Sequence, residues 1–484
     1  MSPPTMWRLG AWLPDGVRPR ADGVAESELR QREAALGLDR GAPFLLAPDG
    51  APDVDVLAYF ASSTFKLLSA QTRESYAKDL RLYLSFLSAI GVGWREASWS
   101  VVLDYEHWRR RDAANPRPVS GTKISRELAA CRKFYDWQYR SGNVPSNPFS
   151  GLDGGGTLRV KDARSQRVRW LTSAAYAQWR DVGLAGRRVD GSCDPSWRGR
   201  NEDRNVAFAN LLWGSGLRLR EAATLLTFEL PDLDPGARYL RARLGQGVAK
   251  GRGRDFWMSE HSRRVLSAYM ISTRASAVAR AQRAGRYDSV LEPLIVQNRS
   301  GRGLLVEERS TGARRNLSLD SLTSSDRARL FVPTPRGLEP AMLFLGDSGL
   351  PMRFSSWEAT FAAANRRCER QGVPLSCHPH MLRHSFALRM LVTLMHAFDR
   401  RMGLSAEERQ EYRVLFGDPW VLVQTLLGHA NPQITRDVYL EPVRGLHVDL
   451  FLNHEDVQDE VAFTATVTRH LAATGLVADA VVPR

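Results

Sequence analysis

The stretch His378-Pro-His-Met-Leu-Arg-His-Ser-Phe-Ala-Leu-Arg-Met-Leu391 organises the second half of the chain. It predicts an apolar helix from His380 to about His396, in which His380 and Arg383 stand three positions apart and share one face. A guanidinium there keeps its charge at any working pH and offers a planar fork to two phosphate oxygens. Taken alone, the pair better suits a capping histidine and a surface arginine. His380 and His384 are also spaced i,i+4, as on zinc-binding helices, with Cys377 and His378 nearby.

Sequence on either side narrows these readings. Downstream, an apolar run from Leu422 to Leu427 leads into Gly428-His429, and after Pro432 a short helix from Thr435 to Leu440 carries Tyr439. Upstream, Gly214-Ser-Gly216-Leu-Arg218-Leu-Arg-Glu221 ends one helix at glycine and sets a carboxylate three residues after an arginine, within reach to hold it. Between these lies a strand-like pair, Tyr239–Leu244 and Asp255–Met258, with Lys250 at or near the turn. Lysine has the flexible stem and removable proton that an acid needs, whereas Arg252 and Arg254 in the same segment suit groove contacts. A free phenol, with a pKa of about 10, is a poor nucleophile, but surrounding cations stabilise its phenolate and a developing phosphorane together. A nucleophile, a proton carrier and fixed positive charge are what a buried phosphodiester requires if it is cut without a metal. No cofactor is implied.

At 484 residues the chain is long enough for two or three domains. Its 67 Lys and Arg against 53 Asp and Glu give a net charge of +14 and a pI near 10.0, which favours a polyanionic partner. Cys131, Cys193, Cys368 and Cys377 show no CxxC spacing and read as reduced thiols. The first residues lack the basic start and apolar run of a signal peptide, and no apolar stretch approaches the roughly 18 residues of a membrane span. A soluble, cytoplasmic protein is expected, with no membrane partner.

Residues 1–53, rich in Pro, Gly, Ala and Asp, read as a loosely attached extension with one helical stretch around Glu26–Leu36. Residues 54–150 read as a small helical domain: Val56, Tyr59 and Phe60 open it, Thr72 caps a helix bearing Tyr76, Leu80, Tyr83 and Leu87, and further helices cover Ser100–Arg111 and Thr122–Gln138. Its polar faces carry Arg73, Lys78, Lys123 and Arg126, either solvated or set against phosphate. Residues 151–169 combine a glycine run with spaced cations that include Lys161, the composition of a basic linker. Residues 170–450 hold the chemistry-bearing motifs, interrupted at about 287–340 by a polar stretch without periodicity that reads as an irregular insertion. Residues 451–484 form a tail with one loosely amphipathic helix.

The order Arg218, Lys250, His380-x-x-Arg383, His429, Tyr439 resembles the tyrosine recombinase, or phage integrase, family, and the helical segment from about Asp55 to Phe149 is similar to that family's core-binding domain. The resemblance implies a mainly α fold with a small antiparallel β-sheet: a two-domain DNA clamp made of an all-helical core-binding (SAM-like) domain and an α+β catalytic domain. It implies that Arg218 and Arg383 clamp the scissile phosphate and that Lys250 protonates the leaving 5′ oxygen. In the same scheme His380 assists proton transfer, His429 hydrogen-bonds the phosphate and Tyr439 forms the 3′-phosphotyrosyl bond. Glu221 and His384 would support these groups. Arg73, Lys78, Lys123, Arg126, Lys161, Arg252 and Arg254 are candidate DNA contacts. Double-stranded DNA is the implied partner. A homotetramer would synapse two duplexes through a Holliday junction for a mobile element, with an accessory recombinase or DNA-bending protein, on the bacterial nucleoid. The tail after Leu452 would dock on a neighbouring protomer.

Both long interruptions, at about 287–340 and from His396 to Pro419, fall between motifs, so the chemistry is expected to survive them. Three other readings are weighed against this one. A type IB topoisomerase shares the phosphotyrosine chemistry but relaxes supercoils as a monomer, a decayed family member would bind DNA without cutting it, and a zinc hydrolase would use His380 and His384.

Overall fold

The computed structural model describes residues 6–12, 35, 41–150, 169–234, 236–249, 253–290, 292–309, 311–396, 407 and 419–428. The chain divides into two compact units, Met1–Gln166 and Arg167–Arg484, and the cut falls within the stretch expected to be a linker.

Among the described residues of the first unit, five α-helices follow the apolar spacing: α1 Val54–Ala61, α2 Ser63–Lys66, α3 Ala70–Ala89, α4 Trp99–Arg110 and α5 Gly121–Arg140. The cap of α3 is Ser69, whose hydroxyl accepts from the Thr72 amide at 3.2 Å, so Thr72 lies inside the first turn instead of capping it. Tyr59, Tyr83, Tyr105, Phe134 and Tyr135 meet largely edge to face in the core.

The described parts of residues 1–53, expected as a loose extension, pack on the helical unit. β1 (Arg8–Ala11) pairs antiparallel with β2 (Pro43–Leu46), and Trp7 and Leu45 are buried in the core of the helical unit. The Trp7 amide and indole N–H donate to Ser85 and Ser88 on α3, at 3.0 and 3.1 Å. Two four-residue strands joined through a long, polar segment leave almost no local periodicity to read. The helix expected at Glu26–Leu36 lies outside the described residues apart from Ala35.

The second unit is built around α7 (Glu202–Ser215), a helix buried along most of its length. Around it pack α6 (Ser173–Gly183, capped by Thr172), α8 (Leu219–Ala223), α9 (Glu260–Tyr269), α12 (Ser355–Arg370), α13 (Pro379–His396) and α14 (Pro419–Leu427), while α10 (Ala275–Arg283) buries Val278 and Ala281 in a separate small cluster. Phe208 stacks on Trp357 with centroids 3.6 Å apart while Phe344 meets it edge-on. Each such ring contributes about 1.5–3 kcal/mol by leaving water. The expected hairpin is present: β3 (Tyr239–Leu244) pairs with β4 (Arg254–Ser259), register Leu244 to Arg254.

The stretch expected to be irregular folds as a five-stranded sheet. β5 (Leu294–Ser300), β6 (Gly303–Glu308), β7 (Arg314–Ser318), β8 (Leu330–Thr334) and β9 (Gly337–Pro340) align in the order β7-β6-β5-β8-β9. All pairs are antiparallel except β5 with β8, and α11 (Ser324–Ala328) joins β7 to β8. One face buries Leu294, Val296, Leu304, Val306 and Leu330. On the opposite face Phe331 is buried with Val278, Ala281 and Tyr287, whereas edge strand β7 (Arg-Arg-Asn-Leu-Ser) is exposed at most positions, which hides the alternation from a sequence reading.

Candidate active site

Gly216 ends α7 in the left-handed region at φ 64°, a conformation open to glycine because it lacks Cβ. The turn buries Leu217 and places Arg218 in extended backbone at the head of α8. Glu221 then reaches back: its carboxylate accepts from the Arg218 amide and from an Arg218 η nitrogen, both at 2.8 Å.

Arg383 projects from α13 into the same region. Its guanidinium is buried between two helix ends and donates to the carbonyls of Gly216 and Leu427, each at 2.6 Å. These are carbonyls that helices α7 and α14 leave unpaired, at the negative ends of their dipoles, so a buried cation finds a favourable field there. Arg218 donates to the next carbonyl, that of Gly428, at 3.2 Å. The two arginines, distant in sequence, thus hold consecutive carbonyls of one turn. Together with His380 they line a single cavity of about 540 Å³, whose walls include Leu217, Phe361 and Asn365.

Glu221 is 1% exposed on its side chain and is the anion shared by this cluster. Burial pushes its pKa up, but hydrogen bonds and charge from Arg254, and the charges of Arg383 and Arg218, outweigh burial and hold it at about 2. Arg254 is therefore not placed as a groove contact. Both η nitrogens bind Glu221 at 2.8 Å, and the side chain is 11% exposed. Strand alternation explains this: on β4, Arg254 is in phase with buried Phe256 and Met258. That period-two signal was available in the sequence.

His380 is exposed on the first turn of α13, and its ring meets that of His384 edge to face at 4.5 Å. Among the described residues no group of three His, Cys, Asp or Glu gathers that could hold a metal ion. His378 caps the helix, its Nδ1 accepting from the Met381 amide at 3.3 Å, and burial followed by the charge of Arg169 lowers its pKa.

Lys250, Arg252, His429, Tyr439 and Lys161 lie outside the described residues. Of the other expected DNA contacts, all in the first unit, Lys78 pairs with Glu74 at 2.6 Å on the surface. Lys123 and Arg126 both bind the buried carboxylate of Asp79, at 2.8 and 2.9 Å, while remaining partly exposed. Arg73 is partly exposed on α3.

A cavity lined by two arginines, one of them tied to a buried carboxylate, has the charge to receive an anion. The model of the phage integrase N-terminal SAM-like domain matches residues 63–142. Tyrosine recombinase XerC of Xanthomonas campestris pv. campestris is 28% identical over 214 residues, covering 43% of this chain and 56% of that protein. Tyrosine recombinase XerC of Pseudomonas syringae pv. syringae is 25% identical over 371 residues, 76% of this chain and 85% of that one. The chain spans a little over half the length of the first of these curated relatives. Among solved structures, a XerH site-specific recombinase bound to palindromic difH substrate is similar at a TM-score of 0.47 with 14% identity, covering 84% of this chain and 87% of that one. Residues 63–142 thus match a phage integrase N-terminal SAM-like domain, and the chain is similar in sequence to tyrosine recombinases.

Proposed function

We propose that the chain is a site-specific DNA recombinase that cuts and rejoins strands through a 3′-phosphotyrosyl intermediate at Tyr439. The observation that carries this reading is the convergence of Arg218, Arg383 and His380 on one cavity, with Glu221 behind the arginines. In the cleavage step the phenolic proton of Tyr439 passes to His380 and the phenolate oxygen bonds to phosphorus. The bond from phosphorus to the 5′ oxygen breaks, its electron pair leaves on that oxygen, and Lys250 supplies the proton. Arg218 and Arg383 hold the non-bridging oxygens as charge builds, and His429 donates a further hydrogen bond. Rejoining runs the same path in reverse, with the 5′ hydroxyl of a partner strand as nucleophile. The covalent link conserves the phosphodiester energy, so no ATP is needed.

The first unit, with Arg73, Lys78, Lys123 and Arg126, would grip the duplex, aided by Lys161 and Arg252. Four protomers would synapse two duplexes through a Holliday junction, moving a mobile element within the nucleoid with an accessory recombinase or bending protein. The test is a nicked suicide substrate drawn from DNA flanking the gene, offered to the wild type and to Tyr439→Phe. The wild type should form a protein–DNA adduct that survives denaturant. The variant should form none, yet still bind DNA with a steep salt dependence. An undiminished adduct from Tyr439→Phe would remove that residue as nucleophile. Relaxation of any plasmid without synapsis would favour a topoisomerase.

A further inference from the structure

The inserted sheet touches the loop of the β3–β4 hairpin. The β3–β4 ladder ends at Leu244 and Arg254, and Gly245–Ala249 begin the connection that leads to Lys250. This segment does not stand out into solvent: Val248 and Ala249 are 5% and 4% exposed and belong to the main core. Its other side lies against the backbone of Leu319–Leu322, the turn that follows β7 of the inserted sheet. The Gly247 amide donates to the Asp320 carbonyl at 2.8 Å. The approach is so close that a Cβ on Gly245 would sit 2.4 Å from the Leu319 oxygen, and one on Gly247 2.4 Å from the Leu322 oxygen. Both obstacles are backbone and have little freedom to yield.

The turn is itself anchored on several sides. Leu319 and Leu322 are buried in the core of the sheet. Arg302 binds the Asp320 carboxylate, with its Nε 3.1 Å from both oxygens and an η nitrogen at 2.9 Å. Fully buried Arg327 donates to the Leu319 carbonyl at 3.2 Å while paired with Glu229 and bonded to the Thr224 carbonyl. From the far end, Ser324 accepts from Arg220 at 2.8 Å, and Arg220 stands between Arg218 and Glu221. The inserted turn is thus bonded to the loop that leads to Lys250, and the helix that follows it, α11, to the helix that carries the arginine-holding carboxylate.

We infer that the Leu319–Leu322 turn of the inserted sheet is a positioning element for the hairpin loop, setting where Lys250 delivers its proton. This rests on the proposed role of Lys250 as general acid. The insertion is then part of the catalytic apparatus and not an appendage between motifs. Gly247 and Asp320 act through the lysine and do not touch DNA.

The test uses full-length protein and nicked duplexes tiled across the DNA flanking the gene, carrying forward the one that traps the wild type covalently. That duplex is made in two forms, with the ordinary 5′ bridging oxygen or with sulfur in its place. A thiolate leaves without protonation, so sulfur makes the acid dispensable. Gly247→Ala should cleave the ordinary duplex about a hundredfold more slowly, as expected for a displaced catalytic group. It should match the wild type on the sulfur duplex and bind both with unchanged affinity. Arg302→Gln, which only removes the clamp on the Asp320 side chain, should show a smaller effect of the same pattern, and serves if Gly247→Ala does not fold. Equal slowing on both duplexes, or none, overturns the inference. Lys250→Ala separates the two layers: if sulfur fails to rescue it, the general-acid role falls. If sulfur rescues Lys250→Ala but neither loop variant, the positioning role alone falls.

Discussion

Glu221 and Arg254 face each other through two parallel hydrogen bonds of 2.8 Å, although one residue opens a helix and the other a strand. The same carboxylate holds Arg218, so the hairpin and Arg218 share a single anion.

Glu221→Gln leaves Arg254 and Arg218 without that charge. Removing one partner of a buried pair costs about 3–5 kcal/mol, because the remaining cation stays desolvated. Thermal melts at neutral pH should show a loss of this size. Unchanged stability would mean that the arginines find other anions.

The same pair sets a pH dependence. The folded-state pKa of Glu221, about 2, lies below its ordinary value of 4.5. Its stabilisation is therefore complete above 4.5 and is lost as pH falls through 2, on the order of 3 kcal/mol in all. The difference in stability between wild type and Glu221→Gln should shrink across that window. A constant difference down to pH 2 would rule out this titration.

Arg383→Lys keeps the charge but loses the fork. An ammonium cannot span the Gly216 and Leu427 carbonyls from two separate nitrogens, and a buried carbonyl left unpaired costs about 1–3 kcal/mol. Cleavage in the suicide-substrate assay should fall roughly 10²–10³-fold, as for a lost oxyanion donor, with DNA affinity close to normal. Near-wild-type cleavage would show that charge alone suffices.

Gly428 has φ 62°, and a Cβ there would lie 2.3 Å from the Arg254 Cδ. Gly428→Ala should destabilise by about 1–2 kcal/mol through backbone strain alone, with more from displacing Arg254. Because the Gly428 carbonyl accepts from Arg218, cleavage should also slow. Melting and adduct formation, measured on one preparation, check both effects.

In the first unit, Glu127 is fully buried and accepts from Arg109 twice at 2.9 Å and from the Tyr105 hydroxyl at 3.0 Å. Glu127→Gln should lower the stability of this unit by about 3–5 kcal/mol. Calorimetry should show one transition moving down while that of the second unit stays in place. A single transition shifting as a whole would show that the units unfold together.

Helices and the hairpin were legible because their periods are local: Tyr76, Leu80, Tyr83 and Leu87 recur on one face, and Tyr239–Leu244 alternates before a glycine turn. The order of Arg218, His380 and Arg383 was legible as motifs, and the three line one cavity. The five-stranded sheet and the β1–β2 ribbon were not. Their strands are short, partly charged, and completed by partners elsewhere in the chain, as with β5 and β8 or Arg8 and Leu46.

The amino-acid order alone was enough to nominate the residues suited to the chemistry, to locate most of the described helices, and to group two arginines of fixed charge in one scheme. Tertiary packing settled where each guanidinium points. Arg254 turns inward to Glu221, Arg383 lodges between two helix ends, and a turn of the inserted sheet abuts Gly245 and Gly247. The reason is that propensity and periodicity act over a few residues, whereas the partner of a buried charge is chosen by whichever oppositely polarised group the fold brings within about 3 Å.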